Sequence, residues 1–189
     1  MSLVARVLEH PLVYRAWQAP FEAAKLRPVF SHNDLSRVSR VLDVGCGPGT
    51  NAREFRHAEY LGVDINPRYV AEARRRHGRE FVVGDATSWR PPAGARFEFI
   101  LVNSLLHHLD DANVRRTLAT LRDVLSEGGH LHFLELVLPA KPGVARLLAR
   151  ADRGHFSRSL EHWRALCGEL FEPVVFEPYT LRGFGVTLW

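Results

Sequence analysis

Gly45, Gly47 and Gly49 stand at alternate positions directly after the apolar run Val41-Leu42-Asp43-Val44, with Cys46 and Pro48 between them and Thr50 behind. Glycines so spaced let the backbone turn sharply and approach a ligand with no Cβ atoms in the way. A strand running into such a loop is where open α/β sheets bind nucleotides, because the crevice lies beyond the carboxyl ends of the strands. The dinucleotide fingerprint G-x-G-x-x-G requires glycine or alanine where this chain has Thr50, and that residue lets helix and strand close over a pyrophosphate. A phosphate loop ends in Gly-Lys-Ser/Thr, and this stretch holds no lysine. Both phosphate-binding readings are weakened.

Other residues have the chemistry for proton transfer or metal binding. His107 and His108 close the run Phe99-Ile100-Leu101-Val102-Asn103-Ser104-Leu105-Leu106, and either can take a proton near neutral pH. His130 and His132 alternate along a later apolar run and share a face. Two histidines without an aligned carboxylate are poor evidence for a metal site, and none is expected. Cys46 and Cys167 are far apart and suit neither a disulfide framework nor metal spacing. Cys46 reads as a small residue filling the glycine turn.

In combination these stretches resemble the class I S-adenosylmethionine-dependent methyltransferases. Val41–Thr50 is similar to that family's first motif. Asp64 closes the next run, Leu61-Gly62-Val63-Asp64, and Gly84-Asp85-Ala86 closes the third. Phe99–Leu109 is similar to the fourth motif, and Leu121–Gly129 to the turn before the fifth strand. The motifs occur in family order and cover Arg40 to about Glu135. The resemblance implies S-adenosylmethionine as cofactor and S-adenosylhomocysteine as product. It implies that Gly45, Gly47 and Gly49 approach the amino-acid portion, with Cys46 among them. Asp43 either orients this loop, meets the cofactor's amino group through water, or only caps backbone amides. Asp64, about 20 residues past the first glycine, lies where an acid can accept both ribose hydroxyls; the alternative of a helix cap before Pro67 suits Asn66 better. Ile65 is expected on one adenine face, Asp85 at the adenine amino group with Ala86 beneath the ring, and Asn103 and Ser104 beside the methionine moiety. His108 is the preferred candidate base, with His107 lining the acceptor side or simply packing. Glu135, at the end of the fifth strand, is expected near the acceptor opening.

The elements that must position these groups follow from periodicity. Strands are predicted at about Arg40–Val44, Tyr60–Asp64, Phe81–Val83, Phe97–Val102 and His130–Leu136, with helices between them from about Thr50 to Arg56, Pro67 to His77 and Asp110 or Asp111 to Leu125. Pro67 suits a first helical turn, an aspartate suits the cap of the third helix, and Gly128-Gly129 would end it. This βα alternation predicts an α/β, Rossmann-like doubly wound sheet, mostly parallel. The resemblance implies strand order 3-2-1-4-5-7-6, with the last strand cut short near Trp189. One domain is expected over residues 1–189, comprising a helical N-terminal cap (1–38), a cofactor-binding core (39–138) and a lid and acceptor region (139–189). The cap is predicted as helices broken by Pro11, Pro20 and Pro28. After Pro139, helices are predicted at Val144–Ala151 and Ser159–Leu170 and strands at Val174–Leu181 and from Val186.

Composition narrows the function class. The 189 residues, 46% hydrophobic and 24% charged, are ordinary for a globular domain with a proper core. No run reaches the ~18 apolar residues of a membrane span, and no signal-peptide core is evident, so a cytoplasmic protein, monomer or homodimer, is expected. The net charge of +4 could favour an anionic partner. Its arginines are mostly dispersed, however, and the run Arg74-Arg75-Arg76 suits a helix end, so nucleic acid is not the expected partner. No Asn/Asp-Pro-Pro-Tyr/Phe run follows the fourth strand, so the resemblance does not extend to base N-methylating enzymes. Leu105–Leu109 looks most like small-molecule and lipid-quinone methyltransferases. Tyr14, Trp17, Phe156, Trp163 and Tyr179 could build an apolar acceptor pocket, and His155, Phe156 and Arg158 could line a lid or belong to a polar loop. A small, partly apolar acceptor is expected. An RNA or protein methyltransferase, and a cofactor-binding scaffold without methyl transfer, are the alternatives.

Overall fold

The computed structural model describes residues 25–140, 146, 156–179, 181–183 and 186–188. The expectations for Tyr14, Trp17 and His155, most of the N-terminal cap and nearly all of the Val144–Ala151 helix lie outside these residues.

Five parallel strands form the main sheet in the order β3-β2-β1-β4-β5. They are β1 (Arg40–Val44), β2 (Glu59–Asp64), β3 (Glu80–Val83), β4 (Phe97–Asn103) and β5 (Leu125–Leu134). The central pairing sets Val41 opposite Phe99 and Val44 opposite Val102, while Val41 also faces Tyr60 and Val44 faces Val63. Successive side chains point to opposite faces, and both faces are covered, which is why β1 and β4 read as continuous apolar runs. On one face Leu42, Ile100 and Val102 pack with Val114, Leu118 and Leu121 of helix α3 (Asp111–Val124) and Trp163 and Leu166 of α4 (Leu160–Gly168). On the other, Val41, Phe99 and Leu101 pack with Leu26 and Val29 of the helical residues 25–32 (α1), with Phe55, and with Val70 and Ala73 of α2 (Pro67–His77).

Local chemistry accounts for the helix starts. The Asn66, Asp110 and Ser159 side chains accept from the backbone N–H of Arg68, Asn113 and His162, capping α2, α3 and α4 and satisfying donors that each first turn leaves open. Helix α2 ends on Gly78 at φ +58°, a left-handed residue that glycine adopts without a Cβ clash.

The structure corrects several boundaries. Thr50–Phe55 is a 3-10 helix. Helix α1 runs through Pro28, with buried Leu26 and Val29 holding it on the sheet. Helix α3 ends at Val124, because Leu125 is already extended and paired with Phe97. The register then shifts before Phe99 pairs with His130, so Gly128, at φ +70°, serves an irregularity inside β5 and does not end the helix. Val174–Tyr179 forms no strand; prolines at 173 and 178 remove ladder donors there, and Val174 is 84% exposed. The last strands, β6 (Leu181–Gly183) and β7 (Val186–Leu188), pair antiparallel with each other in a separate two-stranded sheet. Among the described residues they do not extend the main sheet past β5.

Candidate functional site

The parallel topology brings the carboxyl ends of β1, β2 and β4 together, and the glycine loop leaves from the centre of that edge. Gly45, Gly47 and Gly49 all have left-handed φ, +77°, +55° and +77°. The loop is tied to β2 by the N–H groups of Gly45 and Cys46, which donate to the Val63 carbonyl at 2.8 and 3.1 Å. A Cβ on Gly49 would lie 2.9 Å from the His77 ring and 3.0 Å from Phe81, so packing as well as conformation demands glycine there. Cys46 is buried, and burial, with Asp43 and Asp64 nearby, pushes its thiol up, away from reactivity.

Two acids hold this loop from different sides. Asp64, ending β2, accepts from Gly47 N–H through Oδ2 and from Asn66 N–H through Oδ1, both at 2.8 Å. Partial burial raises its pKa against the opposing effect of those two amides. Two of roughly four carboxylate lone-pair sites remain after these bonds. Ile65 follows, 65% exposed, an apolar side chain left in solvent beside a polar anchor. Asp43 is wholly buried. Its Oδ2 accepts from the Tyr60 hydroxyl and from Asn51 Nδ2, while Oδ1 has no partner. Burial pushes its pKa up to about 6, the Tyr60 and Asn51 bonds working against that rise. The reading of Asp43 as an acid that only caps backbone amides is therefore wrong for its hydrogen-bonded oxygen, whose donors are side chains. Sequence reasoning missed Tyr60 and Asn51; the available signal was two polar groups on apolar elements flanking the loop.

Past β3, Asp85 is exposed and its Oδ1 accepts from Thr87 N–H and Oγ1, both at 2.8 Å. Ala86 adjoins α3 through its carbonyl, which accepts from Thr117 Oγ1 at 3.3 Å. At the end of β4, Ser104 is at φ +57°, the one non-glycine with positive φ among the described residues, a costly conformation outside glycine. Its hydroxyl donates to Asn103 Oδ1 at 3.1 Å and accepts from Lys25 Nζ at 3.4 Å. Lys25 belongs to no sequence motif.

The histidines separate in role. His108 is exposed, and its ring centroid lies 4.2 Å from that of buried His107. Glu135 does not line an acceptor opening. Its side chain is 2% exposed, and its oxygens accept from the N–H groups of Leu105, Leu106 and His107 and meet His107 Nδ1 at 2.7 Å. Arg158 likewise belongs to no lid. Buried, it donates to the carbonyls of Leu106, Leu109 and Phe156 and to Asp111, with its guanidinium over Trp163. Trp163 is itself a core residue and builds no pocket wall. Phe156 is 40% exposed beside these groups, and its N–H donates to the His107 carbonyl at 3.1 Å. Among the described residues no cluster of three or more His, Cys, Asp or Glu is placed to hold a metal.

The five main strands stand in the order 3-2-1-4-5 that the resemblance implies for them. Residues 41–129 match the methyltransferase domain family. The matched stretch runs from β1 into β5 and holds the glycine loop, Asp64 and the end of β4. It is 32% identical over 155 residues to a trans-aconitate 2-methyltransferase of Rhizobium etli, covering 74% of this chain and 57% of that protein. It is 30% identical over 127 residues to a malonyl-[acyl-carrier protein] O-methyltransferase of Enterobacter lignolyticus, covering 66% of this chain and 50% of that protein. The chain thus spans about half the length of these curated relatives. Human N-acetylserotonin methyltransferase, determined in complex with SAM, shares the fold of this chain at a TM-score of 0.67 and 19% identity, over 85% of this chain and 48% of that one. The DhpI–SAH complex shares it at 0.64 and 20%, over 86% and 82%. No helix among the described residues is long and apolar enough to cross a membrane.

Proposed function

We propose that this chain binds S-adenosylmethionine and transfers its methyl group to an O, N or C atom of a small, partly apolar metabolite. The observation that carries the reading is the Asp64 carboxylate. It braces Gly47 N–H, retains acceptor capacity for a diol, and stands next to an isoleucine exposed to the same solvent. The residues fit the cofactor in a second respect, since the buried Asp43 Oδ1 lacks a partner beneath the loop and suits an ammonium group reached through water.

Bound S-adenosylmethionine supplies a methyl already activated on a sulfonium, so the organic chemistry is the cofactor's. The chain's part is placement, which can contribute roughly 7–11 kcal/mol through effective molarity. In this assignment Gly45, Gly47 and Gly49 admit the amino-acid portion, and Asp64 takes the ribose hydroxyls. Ile65, Asp85 and Ala86 flank the adenine, and Asn103 and Ser104 adjoin the methionine moiety. His108, exposed at the end of β4, takes a proton from an acceptor that must lose one.

The test is calorimetric titration of S-adenosylmethionine and S-adenosylhomocysteine into the wild type and Asp64→Ala. Affinity should fall at least roughly tenfold in the variant, since a hydrogen bond to a charged group contributes about 1.5–3 kcal/mol. Wild-type protein that binds neither compound would remove the reading and leave a scaffold role. Equal affinities in the two proteins would remove the ribose assignment alone.

A further inference from the structure

Glu135 sits one residue past the end of β5, and nothing in the cofactor assignment uses it. Its carboxylate is buried, its side chain 2% exposed, yet it is more fully bonded than either acid at the glycine loop. Oε1 accepts from Leu105 N–H at 2.9 Å and Leu106 N–H at 2.7 Å. Oε2 accepts from His107 N–H at 3.2 Å and lies 2.7 Å from His107 Nδ1. Three successive backbone N–H groups converging on one anion form a nest, here filled from within the chain. The segment so held is the one that turns from β4 toward the histidine pair.

Both ends of that segment matter. At one end Leu105 packs on the glycine loop. A Cβ built on Gly45 would lie 3.1 Å from Leu105 Cβ and 3.2 Å from its Cδ2, so the leucine occupies the space beside the loop's first glycine. At the other end the imidazole of His107 lies under that of His108, with centroids 4.2 Å apart. A carboxylate is acceptor-only, so the short contact to Nδ1 requires the proton on that nitrogen. The orientation of a metal- or substrate-facing imidazole is commonly set by a carboxylate at its other nitrogen.

We propose that Glu135 is a positioning residue of the methyl-transfer site, holding His107 as its Nδ1–H tautomer and seating Leu105 against Gly45. One carboxylate then sets the wall of the glycine loop and the ring on which His108 rests. The proposal rests on the methyl-transfer reading for its function but not for its geometry.

The tautomer is read directly on the full chain, labelled with 15N-histidine, from long-range 15N–1H couplings of the imidazole ring. His107→Gln identifies the signal by its loss. The wild type should show a protonated Nδ1 and an unprotonated Nε2. Glu135→Gln, whose amide cannot accept at both oxygens' positions, should convert the ring to the Nε2–H form and weaken S-adenosylhomocysteine binding roughly tenfold. Leu105→Ala keeps the carboxylate nest intact and should weaken that binding without altering the tautomer. A wild-type ring in the Nε2–H form or doubly protonated at neutral pH overturns the proposal, and that measurement needs no variant to fold. Unchanged S-adenosylhomocysteine affinity in both Glu135→Gln and Leu105→Ala overturns the seating role. Absence of S-adenosylhomocysteine binding in the wild type instead counts against the function reading, while the tautomer measurement still decides the geometry.

Discussion

Replacing Arg158 with methionine separates a structural arginine from a substrate-facing one. The guanidinium is 3% exposed. Nε donates to Asp111 Oδ1 at 2.8 Å, with Nη2 in ion-pair contact 2.8 Å from the same oxygen; Nη1 donates to the carbonyls of Phe156 at 3.0 Å and Leu106 at 3.3 Å, and Nη2 to that of Leu109 at 2.6 Å. Methionine retains the stem but removes every donor, leaving three carbonyls and a carboxylate short of partners. Asp111 is 39% exposed and water can serve it, so most of the cost falls on the carbonyls. A buried acceptor left without its donor costs about 1–3 kcal/mol. At roughly 2–4 °C per kcal/mol for a domain of this size, Tm should fall by about 10 °C, read by circular dichroism or calorimetry. A variant within about 2 °C of the wild type that had lost methyl transfer would refute this reasoning and return Arg158 to the acceptor side.

Three further outcomes follow from the same geometry. Burial raises Asp43 to about 6, so its contribution to stability is full below the usual carboxylate range and is lost as pH rises through 6. Asp43→Asn, which keeps an acceptor for Tyr60 and Asn51, should abolish that component and make the protein comparatively more acid-labile in urea midpoints measured from pH 4 to 7. His132 has the opposite sign. Burial, helped by the charge of His32, lowers it to about 4, so its contribution is present above its ordinary value near 6.5 and is lost as pH falls through 4. His132→Phe, placed against Phe99, should remove that acid sensitivity; urea midpoints with the wild-type slope against pH would contradict it. Gly49→Ala meets both a φ of +77° and side chains at 2.9–3.1 Å, and should destabilise by about 1–3 kcal/mol, lowering the urea midpoint; an unshifted midpoint would show that α2 yields.

The motifs were legible because they are local. Strand β1 ends where the apolar run meets the glycines, β2 ends on Asp64, and Asn66-Pro67 opens α2, each set by backbone conformation or capping that neighbouring residues dictate. The βα alternation by itself predicts a parallel, doubly covered sheet, and the order of its five strands was implied by the family resemblance. The sequence therefore determined the α/β class, the glycine loop and the candidate acids. It did not determine what the polar residues after β4 would do. Glu135, Arg158 and His107 have side chains suited to substrate work, and linear sequence offers no measure of burial. Only the packed structure brings Glu135 to amides 28 to 30 residues away and Arg158 to carbonyls up to 52 residues away. Buried backbone groups must find partners, and at this turn the tertiary structure satisfied them with charged side chains, leaving His108 exposed at the surface.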